Sequence, residues 1–300
     1  MDADIYTLYE SDFYRVLDFK CRCKDFQTSK PEYSENFNIS FVRKGNFVFN
    51  VFRHSLDSYN GCVLITKPGY ERTVTHIHEV PDECTILDFK NNFYQKLRQI
   101  YDRTKFFTDN DLHTILVNTD MDIEFLHSLI LQLIKGGAAG KLRMDNLIME
   151  VIDRSLNSVT EYKPDPRINL RLKKHHLATI ETAKKYISEN FVNDISLMEI
   201  AEYSHVSPFH FSRIFKTFTS YSPYQFLQST RLKNAEILMR STRMPVTDIA
   251  FSSGFNSLEY FISAFRSKYN FSPVKYRTEF AEDKRRISKY LMQNNFSLLS

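Results

Sequence analysis

Two constellations in the first ninety residues carry the donor types of metal chemistry. Gly69, His76, His78 and Glu83 approximate the His-x-His…Glu spacing with which β-barrel enzymes hold iron or manganese, and strand alternation sets both histidines on one face. Against that reading, the motif falls late in the strand series, no second-half histidine follows, and Glu79 and Asp82 mark a solvated edge. The histidines read instead as surface or hydrogen-bonded residues. Cys21-x-Cys23, with His54 nearby in the chain, has the ligands for a soft metal or for thiolate redox chemistry, but two cysteines one residue apart on a strand more often pack. No metal and no cofactor are therefore expected. The chain also lacks a nucleophile with a placed base, a phosphate-cradling glycine loop and paired catalytic carboxylates in a readable motif, so enzymatic chemistry is not expected.

A repeat in the last third carries a different chemistry. Ser196-Leu-Met-Glu-Ile-Ala-Glu-Tyr-Ser-His-Val-Ser-Pro208 and Pro245-Val-Thr-Asp-Ile-Ala-Phe-Ser-Ser-Gly-Phe-Asn-Ser257 share Ile-Ala at one offset. Each is followed by a polar turn and an aromatic-rich helix, 209–218 and 258–269, and each ends in Ser-Pro, Ser222-Pro223 and Ser272-Pro273. A small Ala201 or Ala250 lets two helices cross closely, and Gly254 permits a left-handed turn between them. The second helix of each unit is then free to enter a major groove. In the first unit Phe211, Ile214, Phe215 and Phe218 form the expected buried stripe, leaving Phe209, His210, Ser212, Arg213 and Lys216 on other faces, with Ser212 and Arg213 as candidates to read bases. In the second, Phe261, Phe265 and Tyr269 form the stripe, and Asn256, Ser257, Glu259, Tyr260, Ser263 and Arg266 are candidates to face DNA. Polar residues on such a helix can equally contact phosphates or stay solvated. Between the units, Pro223 to about Met239 has no internal glycine or proline and reads as one rigid helix near 25 Å long, able to hold the units about one turn of duplex apart.

These residues resemble the DNA-binding domain of the AraC/XylS family of bacterial regulators over 180–277. Ile249-Ala250, Gly254-Phe255, Tyr260-Phe261, Phe265-Arg266, Phe271-Ser272-Pro273 and Tyr276-Arg277 fit the family signature. Ala201, Ser207, Arg213, Phe215, Lys216, Arg231-Leu232 and Ala235 match around the first unit. His205 and Ser220 stand where the family usually has glycine, and Ser263 where an arginine is common. The resemblance implies double-stranded promoter DNA and RNA polymerase as partners, a cupin-like N-terminal sensor domain, and helices after it that dimerise in many relatives, hence a homodimer.

The elements that must position these residues follow from periodicity. From Tyr33 to Phe89, short β-branched and aromatic runs separated by Lys44-Gly45-Asn46, Asp57-Ser-Tyr-Asn-Gly61 and Lys67-Pro-Gly69 predict a small β-barrel or sandwich. After Asn91 the period turns helical, with an antiparallel pair broken at Gly136-Gly137 and Gly140 whose apolar stripe either packs on its own domain or builds a dimer interface. The prolines of Glu161-Tyr-Lys-Pro-Asp-Pro166 suit an exposed connection. The expected fold class is α+β: an N-terminal cupin-like β-barrel with a helical pair (1–160, helical from about 92), a linker (161–172), an all-α domain of two helix-turn-helix units joined by a helix (173–280) and a tail (281–300).

Charge agrees with this division. Residues 1–169 hold 21 basic against 25 acidic side chains, whereas 170–300 hold 19 against 11, so the C-terminal part suits a polyanion. With no apolar run near the roughly 18 residues of a membrane helix and an acidic Met1-Asp2-Ala3-Asp4 start, a cytoplasmic protein is expected, its four cysteines reduced. The leading reading is an effector-controlled regulator of transcription, with Phe41, Phe47, Phe49 and Tyr70 as pocket-wall candidates for a small-molecule effector that could equally be plain core. The alternatives are a metal-dependent cupin enzyme carrying a DNA-binding tail, and a ligand-free N-terminal platform for dimerisation and partners.

Overall fold

The computed structural model describes residues 2–23, 26–77, 81–137, 140–157 and 168–280. The proline segment 161–166, most of the expected linker, the tail, and His78 and Glu79 lie outside the described residues.

Among the described residues, ten strands make two antiparallel sheets. The larger contains β1 (Ala3–Glu10), β2 (Tyr14–Cys21), β4 (Phe37–Lys44), β7 (Cys62–Thr66), β9 (Glu83–Phe89) and β10 (Thr114–Asn118), in the order β1-β2-β9-β4-β7-β10. The smaller contains β3 (Glu32–Tyr33), β5 (Asn46–Val51), β6 (His54–Tyr59) and β8 (Glu71–His76), in the order β3-β8-β5-β6. Of the small β-barrel or sandwich expected, the strands form two facing open sheets, and strand alternation supplies the reason. On the larger sheet, Cys62, Leu64, Cys84 and Leu116 turn inward against Phe47, Phe49 and Val74 of the smaller one. The alternate residues Tyr14, Val16, Phe37, Ile39, Ile65, Leu87 and Phe89 form a second apolar face that packs against helices. A sheet greasy on both sides is covered on both sides, which leaves the central layer open at its edges β1 and β10. Those two edges and β2 fall outside the stretch that periodicity marked as strands; the alternation in Tyr14-Arg-Val16 was the available signal.

The covering helices are α1 (Asn91–Ile100), α2 (Lys105–Thr108), α3 (Met121–Lys135) and α4 (Lys141–Asn157). Asp120 caps α3 by accepting from the Ile123 N–H at 2.7 Å. The apolar stripe of the α3/α4 pair, including Leu126, Ile130, Leu147, Ile148, Val151 and Ile152, is spent on the chain's own core.

Further helices follow: α5 (Leu170–Asn190), α6 (Leu197–Tyr203), α7 (Pro208–Thr219), α8 (Pro223–Ser241), α9 (Val246–Ser252) and α10 (Leu258–Tyr269), and residues 273–280 are helical as well. The Ser-Pro signals act as helix starts. Ser222 and Gln225 form a capping box on α8 with Pro223 in its first turn, and Ser196 and Glu199 cap α6 in the same way. Both stripe phenylalanines of each repeat are sealed: Phe211, Phe215, Phe261 and Phe265 are fully buried, with Phe218 and Tyr269 partly so. The first unit shares one continuous core with the sheet and α3/α4, while the second has its own core with Leu232, Ala235 and Met239 of α8.

Helix α8 is more than the spacer its sequence suggested. It is buried nearly all round, and its Lys233 ammonium, with no exposed surface, sits 2.5 Å from Glu150 Oε1 of α4 and 2.8 Å from Glu236 Oε2. Arg240 bonds both carboxylates, at 2.9 and 3.0 Å, and Tyr276 donates to Glu236 at 2.7 Å. Arg154 of α4 adds contacts to Glu150 and to Asp122 of α3, and Lys268 of α10 reaches the same Asp122 at 2.7 Å. Burial opposes ionisation of Glu150, but Lys233, Arg240 and Arg154 together outweigh it and hold the carboxyl below its usual value.

The turns between helices carry backbone strain. Gly254 (φ 86°) and the matching His205 (φ 56°) lie in the left-handed region, as do the helix-ending Ser220 (φ 65°) and Asn270 (φ 63°). His205 and Ser220, which depart from the family's glycine, therefore keep the glycine-type backbone and bear its cost. Gly254 has no such latitude: a Cβ there would lie 2.6 Å from the Phe191 carbonyl oxygen. That oxygen accepts from Arg231 Nε at 2.7 Å, and Arg231 also donates to the Asn193 carbonyl.

Gly254→Ala should cost more than about 2 kcal/mol, from strain plus the clash, whereas Ser220→Gly should gain up to about 1 kcal/mol. Opposite shifts in urea midpoint check both signs. Lys233→Met, which takes the buried cation from between Glu150 and Glu236 and leaves Arg240 as their shared partner, should cost about 3 kcal/mol in the same assay, the low end for breaking a buried pair.

Candidate nucleic-acid interface and interdomain cavity

Helix α7 presents one polar ribbon to solvent. Phe209 (83% exposed), Arg213 and Lys216 are exposed and Ser212 is half-buried, at positions that fall on one side of the helix, opposite Phe211, Ile214 and Phe215. An aromatic ring so exposed at the start of a helix is open to a partner, and an apolar ring there suits a thymine methyl as Arg213 suits a guanine edge. His210 is placed differently: its half-buried ring meets His176 of α5 edge-on at 5.1 Å, so it braces α7 on α5 rather than joining the ribbon.

Helix α10 presents a second ribbon, of Glu259, Ile262, Ser263, Arg266 and Ser267, which together line a shallow surface depression. Ile262 and Ser267 were not singled out from sequence, although their spacing of three and four from Glu259, Ser263 and Arg266 marks the same face. Ser257 is the N-cap, accepting from the Tyr260 N–H at 3.2 Å and donating to Glu259 at 2.8 Å. Tyr260 is half-exposed and turned back to α8, where its hydroxyl meets Tyr224 at 2.8 Å and accepts from Gln228 at 2.6 Å. Two of the six candidates of this unit, Ser257 and Tyr260, thus serve first to set the helix, and Asn256 remains exposed at its entry.

A second feature lies between the sheet and the C-terminal helices. A cavity of about 520 Å³ is walled by β4, the β6–β7 turn, α3, α5 and α8. Of the four pocket-wall candidates, it includes Phe41 alone. Phe47 and Phe49 are sealed between the sheets, and Tyr70 stacks on His113 at 3.6 Å. Sequence alternation could mark those rings as inward-facing but not say which side of the sheet holds the space.

The cavity wall carries charge in unusual states. His127 of α3 stacks on Phe41 at 4.2 Å and bonds Thr85 at 2.9 Å; burial first, then Arg43 and Lys184, push its pKa down to about 3. Burial pushes Glu181 of α5 up to about 8, even though the Gly45 N–H donates to it at 3.1 Å and Lys44 and Lys184 lie near. Both groups are therefore mainly uncharged at neutral pH. Lys184 of α5 pairs with Glu124 of α3 and donates to Asn60 at 3.0 Å, so α5 is held to the N-terminal half by polar contacts around an open space.

The metal candidates recombine. His54 is exposed at the start of β6 and Glu83 pairs with Lys44, while His76 is buried and bonds Asp82, itself 1% exposed rather than at a solvated edge. Cys23 lies just beyond the end of β2, and Cys21, Cys23 and His76 converge on one point.

Because Glu181 titrates near 4.5 when unfolded and near 8 when folded, its contribution to stability is complete below about pH 4.5 and is lost as pH rises through 8. Glu181→Gln should remove that part of the dependence. Thermal melts at pH 6 and 9 should lie closer together in the variant than in the unaltered protein.

Residues 200–279 match a family model described as a helix-turn-helix domain. Over 98 residues the chain is 29% identical to AdaA of Bacillus subtilis strain 168, a bifunctional transcriptional activator and DNA repair enzyme, covering 33% of this chain and 46% of that protein. It is 27% identical over 108 residues to the regulatory protein PocR of Salmonella typhimurium, covering 36% of each. The chain thus spans less than half the length of these relatives. Among solved structures, the C-terminal domain of AraT, a response regulator of Geobacillus stearothermophilus, is 32% identical, covering 34% of this chain and 84% of that one with a TM-score of 0.33. The C-terminal part of the chain, residues 200–279, is thus a helix-turn-helix domain of the AraC/XylS type.

Proposed function

We propose that the protein is a sequence-specific transcription regulator that grips one face of promoter DNA with α7 and α10. The observation that carries this reading is the pair of solvent-facing ribbons, each backed by a sealed phenylalanine stripe and both mounted on α8. Phe209, Ser212, Arg213 and Lys216 form the more basic and more fully exposed reading surface. The second ribbon offers Arg266 with Ser263 and Glu259, so it supports weaker base discrimination and more positioning.

Its control is assigned to a small-molecule effector in the cavity between β4, α3 and α5. A ligand there touches the sheet domain and the first helix of the DNA-binding part at once, which is what linkage between effector and DNA requires. Phe41 and His127 supply a stacking wall, and the Glu181 carboxyl supplies a hydrogen-bond donor when protonated. The chain acts as a homodimer in this reading, recruiting RNA polymerase at the promoter.

The test is capture of genomic DNA fragments by the purified protein at near-physiological salt with random competitor. A recurrent two-part motif with halves about one helical turn apart supports the reading, and no enrichment over competitor with or without candidate effectors sinks it. Arg213→Ala should weaken binding by about 1–3 kcal/mol at one half-site only. Equal loss on specific and random DNA would assign Arg213 to a phosphate instead.

A further inference from the structure

The sulfurs of Cys21 and Cys23 and the ring nitrogens of His76 offer three ligand atoms that lie within 4.8 Å of one another, at one end of the sandwich. Cys21 ends β2 of the larger sheet and His76 ends β8 of the smaller one, 55 residues away. We infer that these three side chains form a binding site for a thiophilic cation of the Zn²⁺ class, which would staple the two sheets together.

Four observations carry the assignment. The donor set, two thiols and one imidazole, is that of tetrahedral zinc centres that keep a fourth position for water or another ligand. Two such donors at about 2.3 and 2.05 Å from one ion stand about 3.6 Å apart, and Cys21 Sγ lies 3.7 Å from His76 Nε2. The imidazole already has the outer partner of a ligating histidine. Its Nδ1 donates to Asp82 Oδ2 at 2.6 Å, which leaves Nε2 without a proton, while Cys21 Sγ lies beside the ring, 3.7 Å from Nε2 and 4.0 Å from Nδ1, so the ring must turn to aim its lone pair at an ion. The Cys23 backbone N–H points at Cys21 Sγ at 3.2 Å, a donor suited to a thiolate.

The surroundings fit a site loaded from solution. Cys21 and His76 are each 3% exposed, whereas Cys23 is half-buried and leaves one approach open. The Cys21 N–H donates to the Asp82 carbonyl at 2.9 Å and the His76 N–H to the Gln27 carbonyl at 2.9 Å, so the backbone on both sides is pinned before any ion arrives. An ion of this class takes cysteine as the thiolate, so uptake displaces thiol protons and affinity should rise with pH.

The experiment is titration of the full-length protein, stripped of metal and kept reduced by a phosphine, with Co²⁺ and then Zn²⁺. One equivalent of Co²⁺ should develop thiolate-to-metal absorption in the near ultraviolet and the visible bands of a tetrahedral ion, and Zn²⁺ should bleach both. Cys23→Ser, at the half-buried position, should keep the circular dichroism of the native fold and lose the thiolate band with at least about tenfold weaker binding. Cys62→Ala, elsewhere in the sandwich, should keep both. Asp82→Asn should retain the spectrum with about 10–100-fold weaker binding. Absence of the thiolate band, or its persistence unchanged in Cys23→Ser, overturns the site and leaves a structural thiol–imidazole contact only.

Discussion

The Lys233 ammonium has no exposed surface, and the way its charge is matched governs how the halves of the molecule meet. One partner, Glu236, is a turn away on the same helix; the other, Glu150, comes from α4, 83 residues earlier. An unmatched buried cation would cost several kcal/mol, so α8 can take this position only with α4 against it. The demand extends outward. Glu150 and Glu236 both hold Arg240, Arg154 ties Glu150 to Asp122, and Asp122 receives Lys268 from α10. Glu150 and Asp122 are each shared by cations from two elements, and α10 is tied to the N-terminal half through this relay of charges.

That arrangement makes the two helix-turn-helix units mechanically unequal. The first is continuous with the N-terminal core, through Phe125 of α3 against Phe191 at 5.6 Å and through the stripe of α7. The second has a separate core and meets the rest through α8, the Arg231 clamp and Lys268. A change in the N-terminal half reaches α7 directly through packing and α10 at one remove, through α8, the Arg231 clamp and the charge network.

Elements with a local period were legible in the residues, and associations between distant ones were not. The repeat, both phenylalanine stripes, the α3/α4 pair, the proline-led α8 and the left-handed turn at Gly254 each follow from spacing within about twenty residues. The departures at His205 and Ser220 were visible as wrong residue types for a glycine position, and their positive φ shows that the backbone shape outlasted the glycine. Alternation left open a small barrel or a sandwich, because it reports that a strand has two apolar faces without saying that one meets helices and the other a second sheet. The cavity wall, the Lys233 network and the meeting of Cys21 with His76 depend on pairs 55 to 136 residues apart, for which a single sequence holds no pattern. The same holds for His210 and Tyr260, whose polar ends turn to α5 and α8 for reasons that no helical wheel contains.

The energies of the two interdomain contacts then bear on how a signal could pass. Coupling between an effector and a distant site is typically about 1–3 kcal/mol, less than the about 3–5 kcal/mol of breaking a buried pair such as Lys233–Glu150. An effector therefore cannot act by separating α8 from α4. The contacts around the cavity are weaker in kind: one N–H to a mainly protonated Glu181, an amide at Asn60, and the partly exposed Lys184–Glu124 pair. These are of a size that a ligand can exchange for its own hydrogen bonds. In the reading proposed above, a ligand that made that exchange would shift α5, and with it α6 and α7, against the α4–α8 frame. Such a shift changes the angle of the first reading helix relative to the second without unfolding either, which is a change that duplex DNA, with its set groove spacing, would register.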